Sequence, residues 1–371
     1  MNIVISIFIL VLVIFSIFTY SFVDINIPYL KSLYTGLYLN NRFLLSVIYS
    51  VLIFILFGCS YFLLTNIDRL KININKLILI IVLAAVFSYP AALTFDIFNY
   101  MTTARVAFFY QENPYIIYPI ELLNDPYLAF TRAANKTALY GPFWILLTGI
   151  PHFAGFGNFV LTLFSFKAFI ALFYVGTAYL MRKFDKTAAL FFALNPLVII
   201  ESLASSHNDI VMIFFALLSL YLFFHKKYVF SFLSIFGSTI IKPATLFLAP
   251  VYMGMIKDKF IGKKISQEKA FKYSAILMFI IFVLSPLREE LYPWYATWFI
   301  VFTAFLHKNK FLQNLVLIFS LGLMLRYIPY MATGNYFGST PIIRNLLMIT
   351  PAGMFLALTW LKKYFPSRWQ F

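Results

Sequence analysis

Runs of apolar residues long enough to form membrane-crossing helices recur along the whole chain. A helix needs about 20 such residues to cross a hydrocarbon core about 30 Å thick, and the first run, 3–23, already has that length. The chain is 62% hydrophobic and 11% charged, whereas soluble domains carry about 25% charged residues. The sequence therefore predicts an all-α integral membrane protein and excludes a soluble domain.

Twelve apolar segments are candidate transmembrane crossings. They cover residues 3–23, 43–65, 77–95, 155–180, 188–200, 210–224, 228–241, 243–256, 273–287, 295–306, 311–329 and 345–361. The longest polar interval begins at Asp96 and is itself rich in aromatic residues and proline. We expect one transmembrane domain over 1–371, a polytopic bundle of about 12 helices with a large first extracytoplasmic loop, 96–154, that carries interfacial helices.

Lysine and arginine indicate the orientation. The net charge is +16, but the basic residues form short clusters between apolar runs, so the charge does not indicate nucleic-acid binding. The clusters are Arg69/Lys71/Lys76, Arg182/Lys183/Lys186, Lys226/Lys227, Lys257 to Lys272, Lys308/Lys310 and Lys362/Lys363/Arg368. With twelve crossings they all fall on one side, which the positive-inside preference makes cytoplasmic. We expect a multi-pass cell-membrane protein with both termini in the cytoplasm.

Acidic residues collect on the opposite, extracytoplasmic side. Charged residues predicted there are Asp96, Glu112, Glu121, Asp125, Glu201, Asp209, Glu289, Glu290, Lys242, Arg288 and Arg344. The segment 188–200 has thirteen residues and reaches only about 20 Å, which is less than the hydrocarbon thickness. We expect the pairs 188–200/210–224 and 228–241/243–256 to end inside the bilayer and to line a vestibule. The alternative is that the boundaries of these segments are misdrawn.

Asp96 is the candidate catalytic residue. It follows the run 77–95 and opens the long loop, although a solvated helix end is the simpler interpretation. Helical spacing places Asn99 and Tyr100 on its face. Pro after Asn113, Tyr118 and Asp125 forces turns or extended backbone in the loop. We expect the loop to lie as a lid over the vestibule, with a structureless interfacial loop as the alternative.

A second group of polar residues lies between two apolar segments. Its members are Asn195, Pro196, Glu201, Ser205, Ser206, His207, Asn208 and Asp209. Ser206 and Asp209 have the spacing of a capping box, which would be a structural role for Asp209. Capping does not account for His207. Ionisable groups at membrane depth are energetically costly, so a cluster of them indicates a functional site. The substrate-binding candidates are therefore Tyr100, Glu201, His207, Asn208 and Asp209.

Metal binding is not indicated by the spacing of the potential ligands. Among the histidines only His207 has carboxylates near it in sequence, and no H-E-x-x-H motif occurs. The only cysteine, Cys59, lies inside an apolar run. We expect no cofactor, with a divalent metal as the alternative. Lys242 and Arg344 stand on the predicted outer side and are candidate phosphate ligands; for Lys242 the alternative is snorkelling to the headgroups.

Several short motifs occur in an order that resembles a known family. They are Asp96-Ile97-Phe98-Asn99-Tyr100, Asn113-Pro114-Tyr115, Tyr118-Pro119, Tyr140-Gly141-Pro142, Asn195-Pro196, His207-Asn208-Asp209 and Lys242-Pro243. Together they resemble the polyprenyl-phosphate-mannose-dependent mannosyltransferases of the GT-C class, most of all the α-1,6-mannosyltransferases of actinobacterial lipoglycan synthesis. The resemblance covers about 77–255, and this chain is shorter and richer in Ile, Phe and Lys than the actinobacterial pattern.

The resemblance implies a GT-C-like membrane glycosyltransferase. It would move a sugar, expected to be mannose, from a polyprenyl-phosphate donor to a glycan or glycolipid acceptor on the extracytoplasmic face. An acid of the first large external loop is the general base in that class, which corresponds to Asp96 here. Inverting transfer from a β-linked lipid phosphate needs this base and cations for the leaving phosphate, a role for Lys242 and Arg344.

Other functions remain as alternatives. A transporter or flippase of lipid-linked sugars predicts internal repeats and charges near the membrane midplane, whereas the acids here lie at one face and no repeat is found. An O-antigen-type polymerase or ligase would place its largest external loop late in the chain, and here it is early. A purely structural membrane protein would not need the polar cluster.

Overall fold

All regular structure in the computed structural model, which describes residues 1–23, 27, 35–70, 72–287 and 290–364, is helical. This confirms the all-α fold. The helices are α1 Asn2–Phe18, α2 Arg42–Thr65, α3 Ile74–Ala85, α4 Asp96–Phe108, α5 Pro142–Ala154, α6 Phe159–Phe184, α7 Lys186–Leu194, α8 Pro196–Ile199, α9 Asp209–Phe224, α10 Tyr228–Ile241, α11 Ala249–Phe260, α12 Gln267–Leu284, α13 Thr297–Thr303, α14 Lys310–Leu325, α15 Ile328–Thr333 and α16 Thr340–Tyr364.

Among the residues that the structure describes, six helical segments are long and apolar enough to cross a membrane. They are Asn2–Phe22, Arg42–Thr65, Phe159–Phe184, Gln267–Leu287, Lys310–Thr333 and Thr340–Tyr364. The helix α7 and the segment Pro196–Ala204, which join at 68°, meet the same criteria only together, as a broken span or a re-entrant loop. The chain is therefore a multi-pass membrane protein. The count of about twelve crossings stays a prediction, because five other apolar helices have only 10–17 residues.

Short polar side chains set where many of the helices begin. Each accepts a hydrogen bond from a backbone N–H of the first turn, where no carbonyl is in reach within the helix. These N-cap residues are Asn41, Asn73, Asn158, Asp185, Asn195, Ser266 and Asn309. The helix boundaries therefore follow from local chemistry, and the apolar stretch after each cap is buried by packing against its neighbours.

The predicted crossing 77–95 is wrong at its C-terminal end, because α3 stops at Ala85. Ser88 Oγ donates to the Ala85 carbonyl at 2.6 Å, and Pro90, which has no N–H to continue a helix, starts a 3-10 turn. Asp96 therefore begins a new helix, α4, instead of ending a crossing. A carboxylate in the first turn of a helix is stabilised by the positive end of the helix dipole.

The interval between α4 and α5 is folded onto α4. Arg105 Nε donates to Asp125 Oδ2 at 2.7 Å, and Asn99 Oδ1 accepts from the Ala133 N–H at 3.2 Å. Two 3-10 turns begin at proline, Pro119–Glu121 and Pro126–Phe130. These contacts exclude a structureless loop, while its position at the membrane surface and its action as a lid stay predictions.

An irregular segment joins α7 to α9 and carries most of the predicted site. Pro196 interrupts the helix after Leu194, and a π-helical turn, Ile200–Ala204, follows α8. Ser206 then has φ +60°, an uncommon backbone conformation for a residue other than glycine. Turns of the π type are frequent at functional sites, and this one delivers the chain to the start of α9.

Helices from both halves of the chain surround this segment. The helix α9 packs against α6 and α10, and α13 of the C-terminal third packs against α9 and α12. The residues that precede α9 are therefore enclosed by elements that are distant in sequence. The fold places Asp96 at the start of α4 beside them.

Candidate active site

His207 lies between two carboxylates. Its Nδ1 is 3.3 Å from Asp96 Oδ2, and its Nε2 is 3.4 Å from Glu201 Oε2. The side chains of His207 and Glu201 are each 1% exposed, whereas that of Asp96 is 28% exposed. We call these three residues the acid–histidine cluster. Of its two carboxylates, only that of Asp96 is open to an incoming molecule.

The charges in this cluster stabilise one another. Burial alone would lower the pKa of His207, but the facing carboxylates of Asp96 and Glu201 raise it to about 9. Burial would raise the pKa of Asp96, but His207 and the charge of Lys242 hold it below its usual range. At neutral pH the imidazole is therefore a cation and Asp96 an anion.

Asp209 and Lys242 form a second charged pair beside the cluster. Lys242 Nζ donates to Asp209 Oδ2 at 2.7 Å, and Trp298 Nε1 donates to Asp209 Oδ1 at 2.6 Å. The capping-box interpretation of Asp209 is wrong, because Asn208 is the N-cap of α9 without a side-chain cap bond. Instead, Ser206 Oγ donates to the Leu203 carbonyl. Asp209 anchors a cation and an indole at the start of the helix.

Tyr100 and Asn208 support the cluster from the side. Tyr100 OH donates to Asn208 Oδ1 at 3.3 Å and accepts from the Asn208 N–H at 3.2 Å. The Tyr100 ring packs edge-on against Tyr140 and Trp144, with centroids 4.7 and 5.1 Å away. Tyr100 is therefore a buried support for the turn that carries His207, one helical turn after Asp96.

The glycine of the Tyr140-Gly141-Pro142 motif makes a close contact with the end of α10. Its N–H donates to the Ile241 carbonyl at 3.1 Å, and a Cβ at this position would overlap the carbonyl of Ile240. The start of α5 therefore packs directly on the last turn of α10. Lys242 is the next residue after that turn, so this close approach helps to place its ammonium group.

Three aromatic residues of the C-terminal third complete the site, and sequence reasoning did not predict them. The Trp294 ring stacks on His207 with centroids 3.9 Å apart. Tyr327 OH donates to Glu201 Oε1 at 2.9 Å, and Trp298 binds Asp209 as described. A signal was present in Tyr292-Pro293-Trp294-Tyr295-Ala296-Thr297-Trp298, where four aromatic residues flank a helix start.

Arg344 is the one predicted site residue whose recorded contacts lie elsewhere. Its Nη1 donates to Glu290 Oε2 at 2.8 Å, and Arg326 Nη2 donates to the same oxygen at 2.8 Å. Among the described residues the structure does not bring Arg344 into contact with the acid–histidine cluster. Arg288 and Glu289 lie outside the described residues.

Several buried polar atoms in the segment make no hydrogen bond to any described residue. They are Glu201 Oε2, Ser202 Oγ, Ser205 Oγ, both ring nitrogens of His207, and Asn208 Nδ2. The two His207 nitrogens face carboxylates at ion-pair distance but off the line of a hydrogen bond. Buried polar atoms are normally paired, so their concentration over eight residues marks this segment as a candidate functional site.

The side chains that could bind a metal ion are His, Cys, Asp and Glu. Within the described ranges no group of three or more His, Cys, Asp or Glu side chains is placed to hold a metal ion. His307 Nε2 lies 3.1 Å from Asp185 Oδ2, so the expectation that only His207 has carboxylate neighbours is wrong. The distance in sequence between His307 and Asp185 hid this pair.

Comparison with known proteins gives one match. The model of a family described as alpha-(1->6)-mannopyranosyltransferase, N-terminal domain, matches residues 8–257. The matched region contains Asp96, Glu201, His207, Asp209 and Lys242, and it ends before Trp294. No curated protein and no solved structure matches the chain.

Proposed function

The chain belongs to the alpha-(1->6)-mannopyranosyltransferase family and is a membrane glycosyltransferase, and we propose that it transfers mannose from a polyprenyl-phosphate donor. The acceptor is a glycan or glycolipid on the extracytoplasmic face, and the transfer inverts the configuration at the anomeric carbon. The donor is supported by the order of the motifs from Asp96 to Lys242. The face is supported by the basic clusters between the apolar segments.

The observation that carries the mechanism is the unequal access to the carboxylates. Glu201 and Asp209 are each 1% exposed and already bind Tyr327, Lys242 or Trp298. Asp96 is the accessible one, and His207 keeps it ionised. A general base must be ionised and within hydrogen-bond reach of the proton that it accepts. Asp96 is therefore the proposed base for the acceptor hydroxyl.

The proposed reaction is a single displacement. The acceptor oxygen bonds to the anomeric carbon of mannose as its proton passes to Asp96. The bond between that carbon and the phosphate oxygen breaks, and polyprenyl phosphate leaves with the electron pair. Because the attack comes from the side opposite the phosphate, a β-linked donor gives an α-linked product.

Lys242 is the proposed ligand of the leaving phosphate. It binds Asp209, but its side chain is still 17% exposed, and an ammonium group has three donors. It can therefore bind Asp209 and a phosphate oxygen together. Arg344 is proposed as a second phosphate ligand, since it stands on the predicted outer side and shares the carboxylate of Glu290 with Arg326.

The polar segment before α9 is the proposed sugar-binding surface. Its buried atoms without partners are the donors and acceptors that sugar hydroxyls pair with. Glu201, His207 and Asn208 are at most 1% exposed in this structure, so they would contact these hydroxyls only after the segment opens to admit the sugar. Tyr100 and Asp209 would hold the segment in place through the contacts described above. A monophosphate leaving group carries less charge than a diphosphate, so the proposed mechanism needs no metal.

Transfer of radiolabelled mannose from synthetic polyprenyl-phosphate mannose tests this proposal. Purified protein in lipid is given a panel of glycolipid and oligosaccharide acceptors. We expect wild type to form product and Asp96→Asn to lose at least about 100-fold in rate. Glu112→Gln, which removes an exposed carboxylate of the same loop, is the matched control and keeps its activity. Full activity of Asp96→Asn would show that another group is the base.

The proposed location of the reaction on the extracytoplasmic face has its own test. In a Cys59→Ser background, cysteine is placed at Glu112 or at Lys227, which are both exposed. A membrane-impermeant maleimide added to intact cells should label the first variant and not the second. The opposite pattern would place the reaction on the cytoplasmic face.

A further inference from the structure

Lys167 is a fully buried lysine in the middle of an apolar helix. It lies in α6, and its side chain has no exposed surface. Its Nζ donates to the carbonyls of Leu203 and Ala204 at 2.8 and 2.6 Å. Nζ also lies 3.3 Å from Ser206 Oγ and 3.4 Å from Ser88 Oγ. Lys167 therefore connects α6 to the end of the π-helical turn.

The partners of Lys167 are unusual for a buried lysine. Within the described ranges no carboxylate lies at ion-pair distance from its Nζ, which instead has backbone and hydroxyl oxygens as neighbours. A buried polar group is unfavourable unless such contacts compensate it. Carbonyls at the C-terminal end of a helical segment carry partial negative charge and accept readily from such a donor. The Nζ group therefore fits this site best when Leu203 and Ala204 keep their present positions.

The contacts end immediately before the acid–histidine cluster. Ala204 is three residues before His207, and Ser206, with its φ of +60°, is adjacent to it. Ser88 belongs to the turn after α3 that leads to Asp96 at the start of α4. The Nζ atom of one side chain thus contacts both backbone segments that carry the paired carboxylate and imidazole.

We propose that Lys167 is a positioning residue that holds the turn 203–206 so that His207 stays between Asp96 and Glu201. This proposal rests on the proposed function for its effect on sugar transfer. Its structural part, the placement of His207, does not depend on which sugar is moved. A merely structural Lys167 would stabilise the bundle without setting the geometry of the cluster.

The titration of His207 separates these roles. The charged groups that face its ring are Asp96 from α4 and Glu201 from the π-helical turn, with Trp294 stacked on the ring. If Lys167→Met lets the turn move, His207 leaves the carboxylates and its pKa falls from about 9 toward 6.5. Loss of the Lys167 side chain without movement of the turn would instead leave that pKa unchanged or raise it. The direction in which the His207 pKa changes therefore decides whether Lys167 positions the turn.

The measurement is an NMR titration of ¹⁵N-histidine-labelled full-length protein in lipid nanodiscs. The His207 signal is identified by its absence in His207→Gln. We expect Lys167→Met to lower the His207 midpoint by at least one pH unit. Tyr174→Phe is the matched control on the same helix, because it removes a donor to the Ala193 carbonyl far from the turn, and its midpoint should equal that of wild type. An unchanged or raised midpoint in Lys167→Met overturns the proposal.

Two additions keep the test decisive. If Lys167→Met does not fold, Lys167→Gln, which keeps a polar amide but is too short to reach all the oxygens around Nζ, is measured in its place and must also lower the midpoint. Mannosyl transfer should fall about 100-fold in either variant, the size of effect expected from a misplacement of about 1 Å. If wild type transfers no mannose, the proposed function fails, while the titration still decides the role of Lys167.

Discussion

The phenol of Tyr327 donates a 2.9 Å hydrogen bond to Glu201 Oε1, joining residues that are 126 positions apart. Glu201 is the carboxylate that faces His207 from the side opposite Asp96. The position of the imidazole therefore depends on a residue that lies beyond the family match.

Removal of this hydroxyl should weaken the site. Tyr327→Phe leaves a buried carboxylate oxygen without its donor, and hydrogen bonds to charged groups contribute about 1.5–3 kcal/mol. We expect a lower melting temperature and a lower rate of mannosyl transfer. Tyr252→Phe removes a bond to Ser219 Oγ outside the site and is the control. If Tyr252→Phe slows transfer per folded molecule as much as Tyr327→Phe does, the loss of rate reflects a general loss of packing and not the contact with Glu201.

The pair formed by Asp209 and Lys242 should show strong coupling. Lys242→Met leaves the Asp209 carboxylate buried without a cation, a change that typically costs about 3–5 kcal/mol. The double variant with Asp209→Asn removes both charges and should be more stable than Lys242→Met alone. Thermal unfolding of the two single variants and the double variant gives this comparison. Additive losses would mean that the pair contributes no interaction energy.

Stability should fall at alkaline pH. The pKa of His207 is raised from 6.5 to about 9 in the folded protein, so its contribution is complete below pH 6.5 and is lost as the pH rises to about 9. The difference corresponds to about 3 kcal/mol. Melting temperatures between pH 6 and 10 should decline in wild type by more than in His207→Gln. Parallel declines would show that other groups cause the loss.

The close approach of Gly141 to α10 makes a steric prediction. Gly141→Ala forces its methyl group against the Ile240 carbonyl, and overpacking of this kind costs about 1–3 kcal/mol. We expect lower stability and, through displacement of Lys242, a higher KM for the donor. Gly58→Ala in α2 meets no atom within 4 Å and should leave both quantities nearly unchanged. A normal donor KM in Gly141→Ala would show that the contact of Gly141 with α10 does not place Lys242.

Much of the site could be predicted from the sequence because its members are polar residues in an apolar chain. Asp96, Glu201 and His207 stood out for this reason, and the structure brings them together. Lys167 carried the same signal, as a lone lysine in a long apolar helix, and was missed because the apolar run around it was continuous. Its partners are backbone carbonyls, which no side-chain motif reveals.

The remaining parts depend on tertiary contacts that sequence patterns do not contain. Trp294, Trp298 and Tyr327 occur in segments where aromatic residues also suit lipid or the membrane interface, so their identity does not show which of them turn inward. The early end of α3 was missed for a different reason. Its apolar run continues to Phe95, and the backbone changes direction at Ser88 and Pro90 within that run.

The aromatic contacts to Glu201, His207 and Asp209 also bear on how such proteins can recombine. A chimera joined just after residue 257 would take its acids from one parent and Trp294, Trp298 and Tyr327 from the other. The buried acids would then meet partners shaped for a different sequence. Segments 196–209 and 290–333 should therefore be exchangeable between relatives only as a pair.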